Sequence, residues 1–406
     1  MAAPLQVIPA TPGAELPRVF GRYMLFDHIG RGGMADIFLA RENTGLGSSR
    51  RVVVKRVLPH LSRDPDFARM LIHEAKLAAQ LNHANIVQVF DLGRESGRLF
   101  IAMEYVEGFD LHQLLVRLSK AKIPLPAEFG LLIVREVLRA LDYAHRARGL
   151  DGRPLGLVHR DVSPTNVLVS FEGEVKLCDF GIARALARPD DGVDENTAAR
   201  ARLAGKAAYM APEMARGEDV NARADIYAAG VLLWELCAGR RMIRGTPEEM
   251  FARAREGNAP PLPGAKLREH AILQAILDRA LGRDPIDRYL TAADFLADLD
   301  TYAARTKLLA SQLKFGEFLA EHFAENSVSA RREREQASEP VWLESFPPET
   351  DAQVRTPDIS AVRRIPRTPV PARPENDSGS VSVWGWGMAV LGAAAALGAL
   401  VRWLAH

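Results

Sequence analysis

The sequence predicts an α+β protein of two lobes, a β-rich N-terminal lobe and a larger helical C-terminal lobe, followed by one apolar C-terminal helix. Three observations carry this expectation. Between Tyr23 and Val57 the apolar residues fall in short strand-type runs, YMLFDHIG, ADIFLA and RVVVKRV, and the glycine cluster Gly30-Arg31-Gly32-Gly33 splits the first two. Farther on the apolar spacing becomes helical, over Leu111–Leu118 and about Pro126–Arg148. Then comes Leu157–Gly181, where LVHRDVSPTNVLV and VKLCDFG read as two short buried strands joined by a turn.

That last stretch holds the chemistry. Asp161 and Asn166 occupy an H-R-D-x-x-x-x-N frame, and Asp179 opens a D-F-G eighteen residues after Asp161. Phosphoryl transfer asks little covalent chemistry of a protein. It needs a carboxylate to orient the attacking hydroxyl and take its proton, and oxygens to hold Mg²⁺ against the phosphates. Turn capping would explain one of these motifs alone, but not both at this distance. With these residues in place the sequence resembles the protein kinase superfamily, in the style of the eukaryotic-like Ser/Thr kinases of bacteria. The resemblance implies the two-lobed protein kinase fold, ATP with Mg²⁺ (or Mn²⁺ in its place) as cofactors, and protein substrates. It makes Asp161 the catalytic base and Asn166 and Asp179 the metal ligands.

In order along the chain, residues 1–22 read as a disordered, Pro-rich leader without the apolar run of a signal peptide. The resemblance spans residues 23–302. Gly30, Gly32 and Gly33 let backbone N–H groups approach phosphates, although hairpin turns use the same residues. Ala35 replaces the third glycine of the family's G-x-G-x-x-G loop. Lys55, on the third strand, corresponds to the lysine that holds the α- and β-phosphates. Asp64–Gln80 reads as a helix, with Asp64 as N-cap and Pro65 in its first turn. It carries Glu74, nineteen residues after Lys55 and, by resemblance, its ion-pair partner. Strands are expected at Ile86–Leu92 and Leu99–Glu104. The second leads into Met103-Glu104-Tyr105-Val106, which resembles the kinase hinge with Met103 as gatekeeper. On the same resemblance Ile29, Ile37, Val53 and Leu168 enclose the adenine. The backbone of Glu104 and Val106 meets its edge, and Asp110 meets the ribose.

After D-F-G a segment of thirty-odd residues ends at Ala211-Pro212-Glu213 and resembles an activation loop. Thr197 is its phosphosite candidate, the only Ser or Thr between Ile182 and Glu213, and Arg160 would form one arm of a pocket for the phosphate. Asp225 resembles the buried aspartate that fixes the catalytic-loop backbone, and Arg288 the arginine that pairs with Glu213.

Residues 303–325 are expected to be a helical extension, with an amphipathic helix over Leu308–Phe323. Residues 326–380 read as a charged, Pro-rich flexible linker. Residues 381–404 read as a transmembrane helix, because Ser378–Val401 lacks charge and Trp384, Trp386 and Trp403 bracket its core. Arg363, Arg364, Arg367 and Arg373 precede it, against Arg402 beyond, so the kinase domain is expected in the cytoplasm, anchored to the inner membrane. Gly392 and Ala396, then Ala394 and Gly398, are small-xxx-small pairs that allow a homodimer.

A formal net charge of +1 over 406 residues gives no global field for nucleic acid, and two cysteines make no disulfide framework. Two departures from the family bear on activity. Ser163 stands where the catalytic loop usually has lysine, and Lys206 stands where a threonine usually faces the catalytic aspartate. An exchange of one lysine for the other would preserve a catalytic contact from Lys206 to the phosphate. A pseudokinase or scaffold that binds nucleotide or partners without turnover is the alternative.

Overall fold

The computed structural model describes residues 16–45, 48–149, 151–180, 207–263 and 267–346. A six-stranded antiparallel sheet forms the first lobe. Its strands are β1 (Arg18–Phe20), β2 (Tyr23–Arg31), β3 (Ala35–Gly45), β4 (Ser48–Val57), β5 (Val89–Glu95) and β6 (Arg98–Glu104), in the order β1-β2-β3-β4-β6-β5. Strand alternation sends Val52 and Val54 to one face, with Phe20, Tyr23, Leu25, Phe38 and Phe100. The other face packs on α2 (Pro65–Ala78), which follows the short α1 (Pro59–Arg63). Asp64 caps α2 as its side chain accepts from the N–H groups of Asp66 and Phe67, and α2 buries Phe67, Leu71, Glu74 and Ala75.

The second lobe is helical. It contains α3 (Leu111–Ala121), α4 (Ala127–Arg146), α5 (Pro212–Arg216), α6 (Arg223–Ala238), α7 (Pro247–Glu256), α8 (His270–Ala280) and α9 (Ala292–Thr306). A small antiparallel sheet of β7 (Gly108–Asp110), β8 (Val167–Ser170) and β9 (Val175–Leu177) pairs strands from before and after α3 and α4, in the order β7-β8-β9. α6 is buried on nearly every side, from Ala224 to Leu236, as a helix apolar all round must be. Arg288, after α8, makes a bidentate pair with Glu213 of α5 at 2.8 and 2.7 Å, and it also donates to the carbonyls of Gly282 and Arg223.

Two boundaries differ from the sequence reading. The expected leader of residues 1–22 already holds β1, whose Arg18 and Phe20 sit opposite Leu25 and Tyr23, with Phe20 edge-on to Phe100. The linker expected from residue 326 does not start there. α10 runs Gln312–Ala337 and α11 runs Glu339–Ser345, so helix continues to Ser345. Arginines of this charged helix meet acidic partners, Arg334 with Asp27 of β2 at 3.1 Å and Arg332 with Glu107 at 3.9 Å. The segments proposed for membrane anchoring (381–404) and phosphorylation (Thr197), and Lys206, lie outside the described residues. Among the described residues no helix is long and apolar enough to cross a membrane.

The Arg288–Glu213 pair is buried, with 0% and 3% of the two side chains exposed. Removing one partner strands the other charge. Arg288→Ala is expected to lower unfolding free energy by about 3–5 kcal/mol, read from denaturant unfolding. A loss under 1 kcal/mol would mean that Glu213 is satisfied without the arginine.

Candidate active site

The catalytic loop is built on buried polar contacts. His159 is fully buried, and its Nε2 donates to the Cys178 carbonyl at 2.9 Å while its Nδ1 accepts from the Asp161 N–H at 3.2 Å. This places the ring hydrogen on Nε2 and ties the loop to the residue before Asp179. The His159 ring also packs on Phe180, with centroids 4.6 Å apart. The Asp225 carboxylate accepts from the main-chain N–H groups of His159 and Arg160 at 2.8 and 2.7 Å and bonds His145 Nε2 at 2.8 Å. Burial works against its charge, yet the bond and charge of His145, with those of His159, hold its pKa below the usual aspartate value. Arg160 (φ +65°) and Asp179 (φ +66°) both lie in the left-handed region that non-glycine residues seldom adopt. The bonds to Asp225 hold the first of these in place.

Of the groups singled out for chemistry, Lys55 and Asp179 line one cleft, and Asp161 and Asn166 are joined to it through the main chain of Cys178. Asn166 donates from its amide nitrogen to the Asp161 carbonyl at 2.8 Å and to Asp161 Oδ2 at 2.9 Å. That leaves its amide oxygen for a cation. The Cys178 N–H donates to the Asn166 carbonyl at 2.9 Å, which sets Asp179 next to Asn166. An amide oxygen and a carboxylate are hard donors that fit Mg²⁺. Among the described residues no cluster of three or more His, Cys, Asp or Glu could hold a metal alone, so a cation here would share its ligands with phosphates or water.

Lys55 Nζ bonds both carboxylate oxygens of Asp179. Burial opposes its charge, but Asp179, Cys178 and Asp161 outweigh that and raise its pKa. This ion pair gives Lys55 a partner, Asp179, that the sequence reading did not name for it, while Glu74 lies buried on α2.

The cleft above has a volume of about 200 Å³. Its lining contains Ile29, Ile37, Val53, Lys55, Met103, Glu104, Val106, Asp110, Leu168 and Asp179, all singled out from sequence. Gly30 and Gly32 lie where β2 turns into β3 and are not part of the cleft lining. A Cβ there would meet only Ile37 Cδ1 at 3.8 Å and the Ala35 carbonyl at 3.6 Å, so glycine leaves space rather than meeting a backbone demand. Ser163 is buried, and its hydroxyl shares a 3.0 Å bond with that of Thr165 rather than capping the following turn. Sequence reasoning missed Tyr105, Gln113, Thr165 and Arg331, which also line the cleft. Tyr105 and Gln113 flank motif residues and were within reach of the resemblance. Arg331, more than two hundred residues from the hinge, had no signal.

Comparisons with known proteins agree with this geometry. The protein kinase domain family matches residues 23–296. The tyrosine-protein kinase MasK of Myxococcus xanthus is 39% identical over 337 residues, covering 82% of this chain and 51% of its own length. The serine/threonine-protein kinase PknB of Mycobacterium leprae is 37% identical over 292 residues, covering 70% of this chain and 43% of its own. The crystal structure of the PknI kinase domain of Mycobacterium tuberculosis superposes with a TM-score of 0.54 at 30% identity, covering 71% of this chain and 99% of that one. The chain thus spans about half the length of the curated relatives it matches.

Asp110 is the titrating group of the cleft wall. Burial raises its pKa to about 6, against the bonds it accepts from the N–H groups of Gln113 and His112. Its folded pKa lies above its unfolded one, so it is charged at pH 7 and neutral below about 6. The neutral acid accepts hydrogen bonds from ribose hydroxyls more weakly. Adenosine, whose binding carries no phosphate titration, is expected to bind more weakly as pH falls through about 6, and Asp110→Asn should abolish that dependence. A pH-independent dissociation constant between pH 5 and 7.5 for the unaltered chain would remove Asp110 from the ligand's contacts.

Proposed function

Because the chain belongs to the protein kinase family, we propose that it is an ATP- and Mg²⁺-dependent serine/threonine kinase, anchored in a membrane by residues 381–404 with its kinase domain in the cytoplasm. Two hydrogen-bonded pairs carry the reading, Lys55 with Asp179 in the cleft lining and Asn166 with Asp161 in the catalytic loop. MgATP supplies the phosphoryl group. Lys55 would hold its phosphates, Asn166 and Asp179 its metal, and Asp161 would take the proton of the attacking hydroxyl. Serine/threonine preference draws support from the name of the PknB relative, while MasK is named a tyrosine kinase, so phosphoamino-acid analysis of the product decides it.

Autophosphorylation at Thr197 draws support from Arg160. Its buried Nε has no hydrogen-bond partner among the described residues, and a phosphate would supply one. Membrane attachment rests on the uncharged run and its flanking tryptophans. The pseudokinase reading has one observation in its favour, Ser163 in place of the catalytic-loop lysine.

The 406-residue chain in detergent, incubated with labelled ATP and Mg²⁺, should phosphorylate a protein substrate, with label on Thr197 by peptide mapping. Asp161→Asn should cut turnover by about 10²–10⁴-fold while ATP still binds. Near-normal turnover of that variant would refute the base assignment. Without detergent the chain should pellet with membranes, and recovery in the high-speed supernatant would refute the anchor.

If Lys206 compensates for Ser163, Lys206→Thr alone should cost about 3–4 kcal/mol of transition-state stabilisation. Ser163→Lys alone should not help, and the double variant should recover much of the activity. Additive effects in that cycle would show two unrelated changes.

A further inference from the structure

α10 passes from the helical lobe to the strand lobe along the side of the cleft. Its root is fixed. Phe315 and Leu319 are buried, and Phe315 stacks on Phe129 at 4.9 Å. Phe323 meets Phe109 of β7 edge-on at 5.9 Å. At the β8–β9 turn the approach is backbone on backbone: a Cβ on Gly173 would lie 2.1 Å from the Gln312 carbonyl, and one on Gly316 2.9 Å from the Glu172 carbonyl. The far end is tied to the other lobe by Arg334 on Asp27, and past it Arg41 of β3 pairs with Glu339 and lies over the Trp342 ring at 4.5 Å. Between root and tip, Arg331 donates to the Tyr105 hydroxyl at 3.3 Å and lines the cleft beside Asp110 and Gln113.

We propose that α10 forms an additional wall of the nucleotide cleft and that Arg331 contacts the nucleoside half of the bound nucleotide. This rests on the nucleotide reading of the cleft. Tyr105 lies between Glu104 and Val106, the residues whose backbone would meet the adenine edge, so its bond to Arg331 sets the guanidinium beside the adenine and ribose. Asp110 is the ribose acceptor on the same wall. A guanidinium brings five rigid N–H donors and no acceptor, which suits ribose oxygens and the adenine edge.

The test uses the 406-residue chain in detergent, with ATP kinetics and adenosine binding by calorimetry. Arg331→Ala should raise the KM for ATP and the Kd for adenosine by about 5–20-fold, as expected for losing a charge-assisted hydrogen bond. The value of kcat should stay within about twofold, and Arg331→Lys should restore part of the affinity. Arg153→Ala, 87% exposed in the turn after α4, should leave both constants near normal. Unchanged KM and Kd in Arg331→Ala would overturn the proposal, as would a fall in kcat at unchanged KM. A lowered unfolding temperature without nucleotide, matched by equal losses in Arg334→Ala, would assign Arg331 to holding the arm and also overturn it. If the unaltered chain binds neither ATP nor adenosine, the nucleotide reading itself fails and the proposal with it.

Discussion

The Asp225 carboxylate, 1% exposed in the helical core, stays charged because donors from two other parts of the chain close on it: the His145 side chain of α4 and the N–H groups of His159 and Arg160. A buried carboxylate without them would be costly to ionise. With them it becomes the reference point from which the cleft floor is set. It holds the left-handed turn at Arg160, and that turn presents Asp161. His159 reaches across to the Cys178 carbonyl, and Asn166 accepts the Cys178 N–H, so Asp179 is located through the same loop. Each acting group is thus one or two hydrogen bonds from a side chain that touches no ligand itself.

Links between the lobes are of a different kind. Lys55 on β4 reaches Asp179, and Lys176 on β9 pairs with Glu104 at the end of β6 at 2.7 Å. The main chain adds bonds between Asn85, Val87 and Leu177, which join the segment before β5 to β9. These contacts are polar, and a smaller apolar contact of Cys178 and Leu168 with the strand-lobe cluster lies beside them. Polar links re-form more readily than a packed core can be cut, so a shift of one lobe on the other costs least at this seam.

The parts of the fold that could be read in sequence are those in which local pattern and global position agree. Val52 and Val54 alternate with Val53 and Lys55, and the strand they predict has those faces. Asp64 followed by Pro65 starts α2 where capping chemistry says it should. The motif residues of the cleft were legible because phosphoryl transfer fixes both their types and their spacing. What was not legible depended on partners far away in sequence. Residues 326–345 look like solvated linker by composition, yet they are helical and meet Asp27, Glu107 and Arg41, partners that only the fold brings near. Likewise Lys55 has two carboxylates offered by motif, Glu74 and Asp179, and spacing alone does not say that it pairs with Asp179.

The arm made by α10 and α11 divides its energy unevenly. Its root buries Phe315 and Leu319 almost completely, at 0% and 1% exposure. Such side chains contribute about 1.5–3 kcal/mol each on burial. Its tip relies on ion pairs whose arginines, Arg332 and Arg334, are 63% and 52% exposed. Pairs of that kind contribute about 0–1 kcal/mol and weaken with salt. Trp342, 6% exposed under Arg41, is the one tip contact with substantial buried area. The root is therefore a permanent part of the helical lobe, whereas the tip can yield to a shift of the strand lobe at small cost. That asymmetry is what allows a helix that lines the cleft to follow the spacing of the lobes without leaving the domain.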